Sequence, residues 1–112
     1  DIRIKDARIL ALGITFKENC PDVRNTKAVD VINQLKGYGT NISIYDPWAN
    51  PEEVKHEYDL KTVKQLPEGK FDVIVLTVAH NEFLDLNLVD LLNPNGIIYD
   101  VKGIVKKYDG RL

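Results

Sequence analysis

Methionine is missing altogether from this 112-residue chain, cysteine and tryptophan occur once each, and neither sign of charge dominates. A lone cysteine excludes a disulfide within the chain and any all-cysteine zinc site, a usage that suits a reducing compartment. Fifteen Lys and Arg against seventeen Asp and Glu leave a formal charge of -2, so no broad basic surface for nucleic acid is expected. No apolar run nears the roughly 20 residues that cross a bilayer, and no charged, apolar, small-residue leader opens the chain. The expected setting is cytoplasmic, with neither nucleic acid nor membrane as a partner. Without an initiator methionine, residues 1–112 read as a single domain taken from a longer protein.

What is present is a core's worth of apolar residues, 44% of the chain. At this length folding removes roughly two-thirds of the unfolded surface from water. Four apolar runs stand out: Arg8–Gly13, Asn41–Asp46, Phe71–Val78 and Gly96–Val101. Three are nearly continuous, as in strands buried on both faces of a parallel sheet, while Asn41–Asp46 alternates more and suits an edge. Between the first two lies the clearest helix, Thr26 to Gly37, where Ala28, Val31, Ile32 and Leu35 make one apolar stripe. Asn25 or Thr26 can cap its start, and Gly37 or Gly39 can end it. A shorter helix is expected from Pro51 through Glu52, Glu53 and Val54, and another within Asn81–Leu92. Strands alternating with helices predict an α/β fold, a small Rossmann-like or flavodoxin-like three-layer sandwich on a mainly parallel sheet. The four runs are expected in the order 2-1-3-4.

In such a sheet, ligands bind beyond the carboxyl ends of the strands, near the point where strand order reverses. The loop leaving the first strand there is unusual. Ile14 to Asn25 makes twelve residues, where such loops ordinarily have about 2–6. It carries Lys17 and Arg24 into a helix N-terminus, and free N–H groups, the helix dipole and a cation together favour a phosphate. Arg24 suits a diphosphate better than a lysine does, because its fork bonds bidentately. A dinucleotide fingerprint is missing: Gly13 stands alone after the first strand. Asp46 ends the second strand as a ribose-binding acid does, but 33 residues after Gly13 rather than roughly 20 after a glycine motif.

The stretches Ala11-Leu-Gly-Ile-Thr-Phe-Lys17 with Asp22-Val-Arg24, Ile44-Tyr-Asp-Pro47, and Tyr99-Asp-Val-Lys-Gly103 resemble the C-terminal, UDP-binding domain of the UDP-glucose/GDP-mannose dehydrogenase family. The resemblance runs from about Ile4 to the end, and its wording is most similar to the bacterial branch acting on UDP-N-acetylhexosamines. It implies part of an enzyme that uses two NAD to oxidise a sugar C6 alcohol to a carboxylate, supplying precursors of surface polysaccharide. It also implies that the NAD domain, the nucleophilic cysteine and the helix that makes a homodimer lie outside this chain, which alone is expected to be inactive. By motif position Phe16 and Lys17 face the UDP-sugar, Lys102 is a further substrate-side residue, and Arg24 reaches the NAD pyrophosphate. No residue of this chain is expected to be catalytic or to bind metal.

The remaining polar residues have plainer readings. Cys20 precedes Pro21, has no histidine near it in sequence, and is not read as a nucleophile. His80 is expected as a loop residue capping the next helix, and His56 as a surface residue. Asp46-Pro47-Trp48 is expected as a turn with Trp48 packed locally, Glu52–Asp59 as a solvated helix face, and Asp100 as an anchor for the last loop. The alternative of another class is a receiver-like signalling module, in which Thr77 and Lys102 would form the switch pair. That module needs an acidic pair after the first strand, where Gly13-Ile14-Thr15 stands instead.

Overall fold

The computed structural model describes residues 6–24 and 26–100. Among the described residues five parallel strands form one sheet: β1 (Arg8–Leu12), β2 (Asn41–Tyr45), β3 (Thr62–Val63), β4 (Phe71–Leu76) and β5 (Leu92–Asp100), in the order β3-β2-β1-β4-β5. Helices α1 (Ala28–Lys36) and α2 (Pro51–Tyr58) pack on one face, where Val29, Ile32 and Val54 meet Ala11 and Ile44. Helix α3 (Asn81–Leu84) and a 3-10 turn at Leu88–Leu91 cover the other, where Phe83 and Leu88 meet Leu10, Leu12 and Ile74. This is the expected three-layer sandwich. Chain direction away from β1 reverses between β2 and β4, as right-handed crossovers on opposite faces require. Among the described residues, no helix is long and apolar enough to cross a membrane.

The two central runs pair as expected, with Ile9 opposite Val73 and Ala11 opposite Val75. Burial on both faces explains their nearly unbroken apolar content. Two expectations are corrected, the edge strand and the start of the last strand. Asn41–Asp46 is not the edge, because the two-residue β3 pairs outside it, with Ile44 opposite Thr62. The helix expected within Asn81–Leu92 is α3, which ends after a single turn; the chain then crosses Asp85–Asn87, and Leu88 turns back into the core. The last strand begins at Leu92 rather than Gly96. Its register slips between Phe71 and Val73, where Asn95 takes a left-handed φ of 68° inside a bulge.

Local chemistry sets the helix ends. Asn50 accepts a hydrogen bond from the Glu52 N–H at 2.9 Å, Pro51 fills the first turn of α2, and Asp59 closes it in a left-handed conformation. The hydroxyl of Thr26 accepts from the Ala28 N–H at 3.2 Å and so caps the start of α1. The buried side of α1 is Ala28, Val29 and Ile32, whereas Val31 and Leu35 are half-buried beside an open apolar groove over β4 and β5. Truncating a fully buried aliphatic side chain costs its transfer energy plus a cavity. Ile32→Ala is therefore expected to cost about 2–5 kcal/mol and Leu35→Ala less than half as much. Urea denaturation with an unchanged m-value measures both; equal losses would place the core side of α1 elsewhere.

Candidate functional site

Gly13 ends β1 with φ +99°, and a Cβ there would lie 2.5 Å from Val78 Cβ, so only glycine lets the β1 and β4 exits approach this closely. The Thr77 hydroxyl ties the same junction by donating toward the carbonyls of Leu12 and Gly13, at 2.9 and 2.6 Å. Beyond it, at the point where strand order reverses, lies a cavity of about 140 Å³ lined by Thr15, Phe16, Thr26, Lys27, Ala28, Thr77 and Val78. The N-terminal end of α1 forms one wall, and the long loop after β1 forms the rim.

That loop is held from several sides. Ile14 and Thr15 donate their N–H groups to Asp46 Oδ2, at 2.7 and 3.2 Å. The Thr26 hydroxyl donates to the Thr15 carbonyl at 3.2 Å, and the Tyr58 hydroxyl donates to the Val23 carbonyl. Within the loop, Phe16 N–H donates to the Asp22 carbonyl at 2.7 Å, and the Thr15 hydroxyl to the Lys17 carbonyl at 3.0 Å. Thr15 and Val23 are buried, so the exposed tip runs from Phe16 to Asn19. Phe16 is 55% exposed, an unusual placement for a phenyl ring on a well-tethered loop.

Asp46 is the centre of this arrangement and is wholly buried. Its Oδ1 accepts from the N–H groups of Trp48 and Ala49, at 2.8 and 3.1 Å, which makes the expected turn. Its Oδ2 takes Ile14 and Thr15 and also lies 3.0 Å from His80 Nε2. Burial pushes its pKa upward, but the hydrogen bonds from His80, Ile14 and Trp48 outweigh it, leaving the carboxyl below its ordinary range.

His80 corrects another expectation. Its backbone stands at the start of α3, but its side chain makes no capping bond and is completely buried. Asn19 N–H donates to Nδ1 at 2.8 Å, so Nδ1 is the bare nitrogen and Nε2 carries the proton. That proton faces Asp46 Oδ2 and Thr15 Oγ1, at 3.0 and 3.1 Å. Trp48 stacks on the imidazole at 6.0 Å between centroids and donates its indole N–H to Glu82 Oε1 at 2.9 Å.

The other sequence candidates fall as follows. Lys17 is exposed at the tip beside Phe16. Arg24 is also exposed but sits in a bidentate pair with Asp22, Nε and Nη2 each 3.0 Å from a carboxylate oxygen. Its hydrogen bonds hold the Asp22 carboxyl down at about 2. Cys20 is a half-buried free thiol, and His56 is exposed. Lys102 lies outside the described residues. Sequence reading missed the pairing of Asp46 with His80; its signal was two polar residues in the segments that follow the strands flanking β1.

An open parallel sheet with a long, anchored, cation-bearing loop at its switch point defines an α/β domain built to meet a ligand at that edge. Residues 10–107 match the UDP binding domain of the UDP-glucose/GDP-mannose dehydrogenase family, and the chain belongs to that family. The UDP-N-acetyl-D-glucosamine 6-dehydrogenase of Pseudomonas aeruginosa is 41% identical over 104 residues, covering 90% of this chain and 25% of that protein. The enzyme of the same name from Salmonella typhi is 36% identical, covering 93% of this chain and 25% of its own length. The chain thus spans about a quarter of the curated relatives it matches. The solved UDP-D-ManNAc dehydrogenase from Pyrococcus horikoshii has the same fold, with a TM-score of 0.75 at 21% identity over 98% of this chain and 26% of that one.

The lowered pKa of Asp46 makes a signed prediction. Between its folded value and the ordinary value of about 3.9, the unfolded chain binds more protons, so stability rises with pH there. The contribution is complete above the ordinary aspartate range and is lost as pH falls through the folded value. Asp46→Asn is expected to remove that acid-side slope and to cost roughly 2–4 kcal/mol at neutral pH, since an amide cannot accept from both sets of N–H donors. Denaturant melts of parent and variant across the acid range test it; parallel pH profiles would exclude the buried carboxylate as the source.

Proposed function

We propose that this chain is the domain of an NAD-dependent nucleotide-sugar 6-dehydrogenase that closes over the nucleotide of its UDP-sugar substrate. The observation that carries the reading is the family match across residues 10–107, joined to a tethered loop that carries Phe16 and Lys17 at the switch point. The relatives' names favour a UDP-N-acetylhexosamine as the sugar. Oxidising its C6 alcohol to a carboxylate removes four electrons and so takes two NAD. On this reading the domain is one part of a longer, cytoplasmic, homodimeric enzyme that supplies precursors of surface polysaccharide.

The residues present do not fit a complete dinucleotide cradle. Asp46, at the position of a ribose-binding acid, is buried with both oxygens already engaged. The loop after β1 is long and tethered rather than a tight glycine turn. Oxidation chemistry therefore belongs to the rest of the enzyme, and this chain contributes binding. Phe16 offers an apolar face and Lys17 a cation to the UDP-sugar, with Lys102 as a further substrate contact. Arg24 offers its fork to the NAD pyrophosphate, which requires the guanidinium to exchange at least part of its pairing with Asp22.

Kinetics of the full-length enzyme test this division. Lys17→Ala is expected to raise KM for the UDP-sugar about ten- to a hundredfold and to leave KM for NAD nearly unchanged. Arg24→Ala is expected to raise KM for NAD by about tenfold, at the low end because Asp22 already engages the guanidinium. A contact made equally in ground and transition states spares kcat. Equal effects of both substitutions on both substrates would overturn the assignment.

A further inference from the structure

The tip of the β1–α1 loop is a short exposed segment, and its position depends on what holds it to the rest of the domain. Two of its hydrogen bonds are internal, Phe16 to Asp22 and Thr15 to Lys17. Two others cross to the β4–α3 connection, and both use Asn19. The Asn19 N–H donates to His80 Nδ1 at 2.8 Å, and Asn19 Oδ1 accepts from the Asn81 N–H at 2.9 Å. Asn19 has a left-handed φ of 55°, which asparagine tolerates and which aims its N–H and its side chain at one partner segment.

We propose that Asn19 and His80 are positioning residues: together they form a clasp that fixes Phe16 and Lys17 over the substrate nucleotide. This rests on the reading of the loop as UDP-facing. The clasp has an ordered support behind it. A backbone N–H only donates, so His80 must present an unprotonated Nδ1, and the proton on Nε2 is held by Asp46 and Thr15. Trp48 stacks on one side of the imidazole, and Phe83 tilts against it at 5.3 Å. The acid at the end of β2 thus selects the tautomer of a histidine after β4. That tautomer in turn holds the loop that leaves β1. Neither Asn19 nor His80 needs to touch the ligand; they act through the placement of Phe16 and Lys17.

The test uses the ¹⁵N-labelled chain, with UDP as the probe, followed by amide shifts and by the ring-nitrogen shifts of His80. His80→Phe keeps a ring packed between Trp48 and Phe83 but loses the acceptor for Asn19. Asn19→Gly keeps the left-handed backbone and loses the side-chain acceptor, and Asn19→Asp restores that acceptor. Expected results are a His80 ring with its proton on Nε2, and UDP dissociation constants about three- to tenfold higher for His80→Phe and Asn19→Gly, the range of one neutral hydrogen bond. Asn19→Asp should return toward the parent value. A merely structural role would lower the denaturation midpoint and leave UDP affinity alone. If the parent binds UDP, Lys17→Ala weakens it and both clasp variants bind like the parent, the clasp is overturned while the UDP reading stands. If the parent shows no UDP-induced shifts in the loop, the UDP reading fails and the clasp falls with it. Should His80→Phe not fold, Asn19→Gly decides.

Discussion

A carboxylate without water is costly unless every lone pair is met, and Asp46 meets that condition through five nearby donors. Four are backbone N–H groups, two from the loop after β1 and two from the turn after β2; the fifth is the imidazole that follows β4. Each belongs to a segment that leaves the carboxyl end of a strand. One charge therefore resolves three chain exits at once. Without it, the loop after β1 would have to satisfy its first two amides by another route, and the geometry of the sheet's carboxyl edge would follow that route instead.

The fold was largely legible because its centre obeys simple periodicities. Two nearly unbroken apolar runs became β1 and β4, and one helical stripe became α1. Legibility fails where a segment is too short or too ambiguous for a period to speak. Thr62–Val63 is a two-residue strand with no run to announce it. In Asn81–Leu92 the leucines satisfy helical spacing, yet Phe83 and Leu88 point into the core while Leu84 and Val89 are exposed, a division that sequence spacing does not resolve. Asn93-Pro94-Asn95 hides the start of β5 because a bulge, not an alternation, carries the chain through it.

At the site, the length of the loop after β1 and its cations were visible in the sequence, since both are local properties. The bond between Asp46 and His80 was not, because they lie 34 residues apart and meet only when β2 and β4 flank β1. The histidine's place at the start of a helix was readable; the direction of its ring was not, because that depends on the acid across the sheet. Arg24 shows the converse. Its neighbour Asp22, two positions back, already answers part of its charge, so a cation evident in the sequence is less available than its exposure suggests.

The two rims of the sheet have a consequence for the chain's behaviour toward its own copies. Among the described residues the outer strands are β3 and β5. A strand rim that is left open invites neighbouring chains to add on, the first step of aggregation by strand addition. Here one rim offers only two residues of ladder, too short a template to seed a stack. The other is longer, but Pro94 removes an amide donor and the Asn95 bulge breaks the straight register that an incoming strand would need. The same irregularities that hid β3 and the start of β5 from a sequence reading therefore keep a sheet with a strongly apolar centre from growing sideways.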